Sequence, residues 1–301
     1  MSVLPGQQGH KQQQNQAHAV HDLTSAERAI TLVPRYRVEA YSAFPQSRAW
    51  QPHPSNGDNG VRVSRTTNRR GLLTRLSHAL GVSSPSAEMS RQEIITRFNL
   101  LYYHDLIMAG ETASKMTWMG VHTLKCPMDM WCYQEIVFRN RPDYMIECGT
   151  YLGGSALYLA HLLDQTGQGQ IVTIDIRDRP GRPVHPRIRY LTGSSTSETV
   201  ENDVGSDLSR AERVMVILDS DHSELHVLNE LRVWSKYVTV GQYLIVEDTN
   251  VNGHPVRDDF GPGPMEAVRQ FLAENNNFEV DRTQERFLVT FNPSGYLRRV
   301  R

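Results

Sequence analysis

The sequence lacks the features that would assign it at once to nucleic-acid-binding, membrane or secreted proteins. Its 32 Lys and Arg residues nearly balance 33 Asp and Glu residues, giving a formal net charge of −1, so no global field draws the chain onto nucleic acid or anionic lipid. No uninterrupted apolar run approaches the roughly 20 residues of a transmembrane helix. Residues 1–16 are polar and Gln-rich, without an apolar signal core. We therefore expect no nucleic-acid partner and no transmembrane segment.

Cysteine is also scarce. The chain contains Cys126, Cys132 and Cys148, no two of them have the CxxC spacing, and an odd number leaves at least one outside any internal disulfide. Disulfides are uncommon in reducing compartments. A cytoplasmic protein is therefore the simplest expectation.

Periodic hydrophobicity is missing from the first part of the chain and begins near Arg91. Residues 1–90 are rich in Gln, His, Asn, Ser, Pro and Arg, which predicts a largely disordered or loosely structured extension. Its small arginine cluster is either part of a solvated tail or a contact for nucleic acid or lipid. Residues 91–140 predict a helical lead-in, and residues 141–301 predict the main folded domain.

In that domain, short apolar runs alternate with segments of helical period, which is typical of a three-layer α/β fold. A last pair of runs, residues 278–280 and 287–291, is expected to form an antiparallel terminal hairpin. The other predicted strands are residues 144–147, 171–174, 188–191, 214–218 and 243–246.

Acidic side chains follow two of these strands directly. Asp219 comes after residues 214–218, and Glu247 and Asp248 come after residues 243–246. The carboxyl ends of parallel strands lie at one edge of a sheet, where ligands bind. Three carboxylates in one space repel one another unless a cation joins them, and such sets suit Mg²⁺. Each acid taken alone is equally explained as a helix cap or a solvated turn.

A glycine-rich turn follows the first strand. Its glycines, Gly149, Gly153 and Gly154, allow a sharp turn and close ligand approach, but they do not have the GxGxxG spacing of dinucleotide binders, and no phosphate-loop lysine follows. Asp175 ends the second strand, where an acid can bind a ribose diol. Glu147 could hold a cationic part of the ligand, and ligands with a ribose, no pyrophosphate and a positive centre include S-adenosylmethionine. Gly193 and Ser194 or Ser195 would border its base; plain turn residues are the alternative.

Five stretches together resemble the cephalosporin hydroxylase and rhamnosyl O-methyltransferase family of metal-dependent methyltransferases. They are MGVHTLKCPMDMWCYQEIV, IECGTYLGGSALY, ILDSDHSELHVLNEL, YLIVEDTNVNGHPV and FGPGPMEAV. The resemblance implies a Rossmann-like fold with seven strands, the last antiparallel, in residues 141–301, and an active site covered by the lead-in. It implies S-adenosylmethionine at the glycine loop and Mg²⁺ or another divalent cation on Asp219, Glu247 and Asp248. The candidate cofactor-binding residues are Glu147, Gly149, Thr150, Gly153, Gly154, Ser155, Asp175, Ser194, Ser195 and Asp219.

His222 lies where related enzymes carry a lysine base, and imidazole titrates near neutrality. We therefore expect His222 to be the catalytic base, with a helix-capping role as the alternative. Asp221 would orient His222 or bind the metal through water. His254 is a candidate substrate contact, and Trp118, Trp131 and Tyr133 are candidates for a ring-binding wall, although aromatic residues at helical spacing also suit a core. Lys125 and Asn252 are further candidates.

The resulting prediction is an S-adenosylmethionine-dependent O-methyltransferase that acts on a sugar hydroxyl, rhamnosyl or another deoxysugar or glycoside, in glycolipid or natural-product biosynthesis. Its partner would be a small-molecule or glycolipid acceptor, and the resemblance implies a homo-oligomer. The alternatives are methylation of a hydroxylated β-lactam, an NAD-dependent oxidoreductase, which the missing GxGxxG opposes, and a non-catalytic cofactor-binding protein.

Overall fold

The computed structural model describes residues 89–108, 115–208 and 211–301. Nearly all of the predicted N-terminal extension, residues 1–88, lies outside this part of the chain. Within it, no helix is both long enough and apolar enough to cross a membrane.

The lead-in begins with helix α1, Arg91–Leu100, whose first turn is fixed by a capping box. The Glu93 amide donates to Ser90 Oγ at 3.2 Å, and the Ser90 amide donates to Glu93 Oε2 at 2.7 Å. The chain continues as a π-helix over Leu101–Met108. A two-stranded hairpin, β1 (Thr117–Trp118) and β2 (Val121–His122), and helix α2 (Pro127–Asn140) complete the lead-in.

A seven-stranded sheet forms the centre of the domain, in the order β5-β4-β3-β6-β7-β9-β8. In this sheet β3, β4, β5, β6 and β7 pair in parallel, and β9 pairs antiparallel with both β7 and β8, which confirms the predicted mostly parallel sheet with an antiparallel last strand. The strands are β3 (Tyr144–Cys148), β4 (Gln170–Asp175), β5 (Ile188–Thr192), β6 (Val214–Leu218), β7 (Tyr243–Val246), β8 (Phe278–Val280) and β9 (Tyr296–Arg299).

The expected pairing of residues 278–280 with residues 287–291 is wrong. Strand β8 pairs instead with β9. Residues 287–291 form no strand, because their backbone is bound elsewhere: the Phe291 amide donates to the buried carboxylate of Asp129 at 2.8 Å, and the Phe291 carbonyl accepts from the Asn250 amide at 3.1 Å. The segment therefore supports the loop after β7.

Helices cover both faces of the sheet, as the predicted three layers require. The alternation of side chains along a strand sends Ile146 of β3 into one core and Met145 into the other. Helices α4, α5 and α6 pack on the first face, and α2 and α3 pack on the second. Their bounds are α3 (Gly154–Thr166), α4 (Glu198–Asp207), α5 (Glu224–Trp234) and α6 (Pro264–Glu274).

The register of the parallel strands sets the position of the candidate site. Cys148 at the end of β3 pairs with Leu218 at the end of β6, and Leu218 pairs with Val246 at the end of β7. The residues that follow these three strands therefore emerge side by side at one sheet edge. Strand order reverses beside β3, which makes the adjoining crevice the expected ligand site of an open α/β sheet.

Candidate active site at the carboxyl edge of the sheet

The acids after β6 and β7 meet through a lysine from the lead-in. Lys125 Nζ lies 2.5 Å from Asp219 Oδ2 and 2.5 Å from Glu247 Oε1, and Lys125 is 4% exposed. Burial acts to lower the pKa of Lys125, but the carboxylates of Asp219, Glu247 and Glu147 outweigh it and raise the pKa above its ordinary value. The site therefore contains a buried ammonium group. From the sequence alone, Lys125 is only a further candidate.

Glu247 receives a second hydrogen bond from helix α2. Tyr133 Oη donates to Glu247 Oε1 at 2.9 Å, and Asn292 Nδ2 donates to Tyr133 Oη at 3.0 Å. Burial, followed by the charge of Asp219, raises the pKa of Glu247 well above its ordinary value, and Lys125 opposes this shift. Tyr133 is thus held beside the acids and belongs to a buried core cluster, in line with the core alternative to a ring-binding wall.

Trp118 and Trp131 lie away from the acidic residues at the edge of the sheet. Trp118 Nε1 donates to His161 Nδ1 at 2.9 Å, while Trp131 is 58% exposed and its Nε1 donates to Glu135 at 3.0 Å. Neither residue lines the cavity.

Asp248 completes the acidic cluster and contacts the predicted base. His222 Nε2 lies 3.1 Å from Asp248 Oδ2 and 4.0 Å from Asp219 Oδ1. Asp248 adopts a left-handed backbone with φ of 53°, which aspartate tolerates better than most residues, and its amide donates to Asn292 Oδ1 at 3.2 Å. One ligand atom from each of Asp219, His222 and Asp248 lies within 4.8 Å of the others, so His222 stands in this group where Glu247 was expected. Two carboxylates and an imidazole could together bind a divalent cation.

Asp221 is bound to the backbone after it. Its Oδ1 accepts a hydrogen bond from the Ser223 amide at 2.8 Å, and hydrogen bonds from Ser223 lower the pKa of Asp221. Among the described residues, the carboxylates within 4.0 Å of His222 belong to Asp219 and Asp248. The acid that contacts His222 is therefore distant from it in the chain and follows a different strand, while binding of a metal through water by Asp221 stays a prediction.

The glycine loop after β3 is packed tightly against the acidic loop. Gly149 has φ of +105°, and a Cβ atom there would overlap the backbone carbonyl of Asp219. A Cβ at Gly154 would overlap the His122 carbonyl and Thr123 Oγ1. Gly154 begins helix α3, and the buried Ser155 follows it, so the free amides of a helix N-terminus adjoin the same crevice.

Beneath this loop lies a buried acid. Glu147 is 0% exposed, and its Oε2 accepts a 2.5 Å hydrogen bond from Thr173 Oγ1, which also contacts Thr150 Oγ1 at 2.7 Å. Glu147 Oε1 has no partner among the described residues. Burial raises the pKa of Glu147, and the nearby Lys125 opposes the shift. An unpartnered buried carboxylate oxygen is consistent with a missing cationic group.

Asp175, at the end of β4, is already held in place. Its Oδ2 accepts from the Tyr151 amide at 2.8 Å and from Arg182 Nη2 at 3.1 Å, while its Oδ1 accepts from the Arg177 amide at 2.9 Å. The Arg182 side chain is 5% exposed. The sequence analysis missed Arg182 because it lies in a loop of four arginines and three prolines, residues 176–187, that has no periodic signal.

Ser195 is attached to helix α5. Its Oγ donates to Glu230 Oε1 at 2.5 Å, and its carbonyl accepts from Trp234 Nε1 at 3.0 Å. Ser194 Oγ lies 3.1 Å from Thr196 Oγ1. His254 Nε2 lies 2.7 Å from Glu266 Oε1, which links its loop to helix α6.

A cavity of about 270 Å³ connects the acidic cluster with the glycine loop. Its polar side includes Lys125, Asp219, His222, Glu247 and Asp248. Much of the rest of the lining comes from the lead-in and Phe291. Five candidate cofactor-binding residues do not line the cavity: Glu147, Gly153, Asp175, Ser194 and Ser195. The apolar and aromatic lining residues are Tyr103, Ile107, Met108, Leu124, Tyr151, Leu152 and Phe291.

Fold and site define an α/β protein with an acidic crevice beside a glycine loop. The chain belongs to the rhamnosyl O-methyltransferase/CmcI family, whose model matches residues 111–300. The rhamnosyl O-methyltransferase of Mycobacterium tuberculosis is 37% identical over 202 residues, which are 65% of this chain and 82% of that protein. That of Mycobacterium leprae is 36% identical over 201 residues, which are 65% of this chain and 88% of that protein. An apo-structure of CmcI is 23% identical, with a TM-score of 0.49, covering 62% of this chain and 77% of that one.

Proposed function

We propose that this protein is an S-adenosylmethionine-dependent O-methyltransferase that requires Mg²⁺ or another divalent cation and acts on a sugar hydroxyl. The observation that carries the proposal is the convergence of Asp219, His222, Glu247 and Asp248 on the cavity that the glycine loop borders. The chain also belongs to a family of O-methyltransferases, which supports methyl transfer as the reaction in this cavity.

The donor would lie along the glycine loop and the end of β4. Gly149 keeps the backbone free of a side chain where the loop approaches Asp219, and Glu147 provides an unpartnered carboxylate oxygen beneath it. Asp175 is positioned by two backbone amides and by Arg182 and would accept hydrogen bonds from the ribose. Thr150, Gly153, Gly154 and Ser155 would border the donor, and Ser194 and Ser195 would border its base.

The cation would be held by Asp219, Glu247 and Asp248. When bound, it supplies a Lewis acid that lowers the pKa of an acceptor hydroxyl. His222 would accept the acceptor's proton, with Asp248 holding its ring at 3.1 Å. Groups that line the cavity would hold the hydroxyl oxygen in line with the donated methyl group, which replaces a two-body encounter by a local step.

The lining of the cavity supports a sugar as the acceptor. It combines charged side chains with Tyr103, Ile107, Met108 and Phe291 from the lead-in and the C-terminal segment. A deoxysugar or glycoside has both hydroxyl groups and an apolar edge, and the relatives named above are rhamnosyl O-methyltransferases. A hydroxylated β-lactam is the second candidate acceptor within the same chemistry.

The experiment is methyl transfer from labelled S-adenosylmethionine, with Mg²⁺, to a panel of glycosides and β-lactams, followed by location of the methyl group by mass spectrometry. We expect labelling of a sugar hydroxyl that stops when a chelator removes the cation. Labelling of the β-lactams alone would replace the sugar by the second acceptor. Binding of the donor without transfer to any acceptor would favour a non-catalytic cofactor-binding protein.

Two further proposals concern the cellular compartment and the oligomeric state of the protein. All three cysteines are buried and unpaired, which supports a reducing cytoplasm. The family resemblance supports a homo-oligomer, which light scattering of the purified chain would test; a monomeric mass would reject it.

A further inference from the structure

Lys125 contacts two carboxylates that the proposed function assigns to a cation, and it does so through a single oxygen of each. The ammonium binds Asp219 Oδ2 and Glu247 Oε1, both at 2.5 Å. Lys125 reaches them from the loop between β2 and α2, outside the central sheet. The lysine is therefore part of the acidic cluster in space, although it is far from it in the sequence.

The remaining oxygens of both acids stay available. Glu247 Oε1 also accepts the Tyr133 hydroxyl at 2.9 Å, whereas Glu247 Oε2 accepts no hydrogen bond within the described chain, and Glu247 lines the cavity. Asp219 Oδ1 lies on the side of His222, 4.0 Å from its Nε2. Lys125 and Tyr133 thus occupy one oxygen of each acid and leave the other to a ligand.

Lys125 also supplies one positive charge beside these acids, at salt-bridge distance from both Asp219 and Glu247. Buried carboxylates without a counter-charge are strongly unfavourable, so Lys125 allows the cluster to persist before the cation arrives.

We propose that Lys125 is a positioning residue of the cation site: together with Tyr133, it orients Asp219 and Glu247 so that each offers one defined oxygen to the divalent ion. This inference rests on the proposed function. The lead-in would then contribute to the cation site, because the β2–α2 loop and helix α2 supply the two groups that orient the acids after β6 and β7.

The test is a titration of the full-length protein with Mn²⁺, read by electron paramagnetic resonance, in wild type and in Lys125→Met. Partners that orient metal ligands typically contribute about 10–100-fold in metal affinity, so we expect the Kd for Mn²⁺ to rise by about that factor. Removal of a positive charge would by itself tighten cation binding. Weaker binding can therefore be attributed to lost orientation, and equal or tighter binding would overturn the inference.

Tyr133→Phe separates orientation from charge, since it removes only the hydroxyl that binds Glu247 Oε1. We expect a smaller rise in the Mn²⁺ Kd, about threefold to tenfold, and a changed spectrum of the saturated protein. Lys236→Met is the matched control, because Lys236 pairs with Glu201 and is 55% exposed; its Kd should equal that of wild type. If Lys125→Met does not fold, an unchanged Kd in Tyr133→Phe overturns the inference.

The two proposals fail separately. A wild-type protein that neither binds Mn²⁺ nor transfers a methyl group defeats the proposed function, and this inference with it. A wild-type protein that does both, combined with normal Mn²⁺ binding by Lys125→Met, defeats the role of Lys125 alone.

Discussion

His222 Nε2 lies 3.1 Å from Asp248 Oδ2, so the histidine after strand β6 is held by an acid after strand β7. This contact links the proposed proton acceptor to a proposed cation ligand. His222 also has a ligand atom within 4.8 Å of those of Asp219 and Asp248. It is therefore a candidate for two roles, proton acceptor and cation ligand, which experiment can separate.

The first prediction separates these roles through His222→Gln. If His222 accepts the proton, kcat falls by about 10²–10⁴-fold, the pH profile of kcat changes, and the Kd for Mn²⁺ stays at the wild-type value. A Kd that rises together with the loss of kcat would make His222 a cation ligand. An unchanged pH profile would remove it from the proton-transfer role.

The second prediction concerns the cation ligands. Asp219→Asn and Asp248→Asn each remove one carboxylate charge from the set, and cation affinity depends on the ligand charge count. We expect the Kd for Mn²⁺ to rise at least about tenfold and methyl transfer to fall in parallel, while the donor still binds in calorimetry. Near-normal turnover of either variant in the presence of a chelator would reject a metal-dependent mechanism.

The third prediction uses two glycines that both have positive φ but differ in their surroundings. Gly149→Ala places a Cβ against the Asp219 carbonyl, whereas Gly241, with φ of +87°, has no heavy atom within 4 Å of such a Cβ. Gly241→Ala should therefore lose only about 1–2 kcal/mol of stability from backbone strain. Gly149→Ala should lose more and also abolish donor binding, as thermal unfolding and calorimetry would measure. Equal losses in both variants would mean that the close approach at Gly149 is not important.

The fourth prediction concerns Asp175→Ala. A hydrogen bond to a charged group contributes about 1.5–3 kcal/mol, so loss of the proposed ribose contact should raise the Kd for S-adenosylmethionine by about 10–100-fold. Turnover at saturating donor should be much less affected. Since Asp175 also binds Arg182, the variant Arg182→Met is the control for a disordered loop. If Arg182→Met weakens donor binding as much as Asp175→Ala, loop order rather than a direct contact explains the effect.

The fifth prediction is a pH dependence of stability far from the site. Burial opposes the shift, but hydrogen bonds from Thr283, Tyr243 and Gln284 lower the pKa of Asp281 to about 2, from an ordinary value of 3.8. The folded state therefore binds this proton less readily than the unfolded state. The stability that Asp281 contributes is complete above about pH 4 and is lost as the pH falls towards 2.

Asp281→Asn should accordingly lower the melting temperature at pH 7 by about 2–4 °C, and the difference from wild type should shrink as the pH falls from 5 to 3. Melting curves recorded across this range would check it. A difference that stays constant with pH would show that the charge of Asp281 contributes nothing.

The lead-in and the C-terminal segment show where prediction from sequence fails. Residues 287–291 have the apolar, aromatic and β-branched composition of a strand, yet the Phe291 amide is bound by Asp129 and its carbonyl accepts from Asn250 in the loop after β7. Asp221 lies next to His222 in the chain, yet Asp248 contacts it. In both cases a local pattern was assigned a local partner, and a distant side chain competed successfully for the same group.

The sequence by itself determined the order of strands and helices from β3 to α6, the glycine loop after β3, and the acids at the ends of β6 and β7. These features are local: hydrophobic period and turn chemistry are encoded within a few residues, and parallel register then brings the strand ends together. Only the tertiary structure decided that Lys125 reaches Asp219 and Glu247, across 94 and 122 residues, and that Arg182 binds Asp175. Such contacts depend on the packing of the lead-in and loops against the sheet, which no periodic signal encodes.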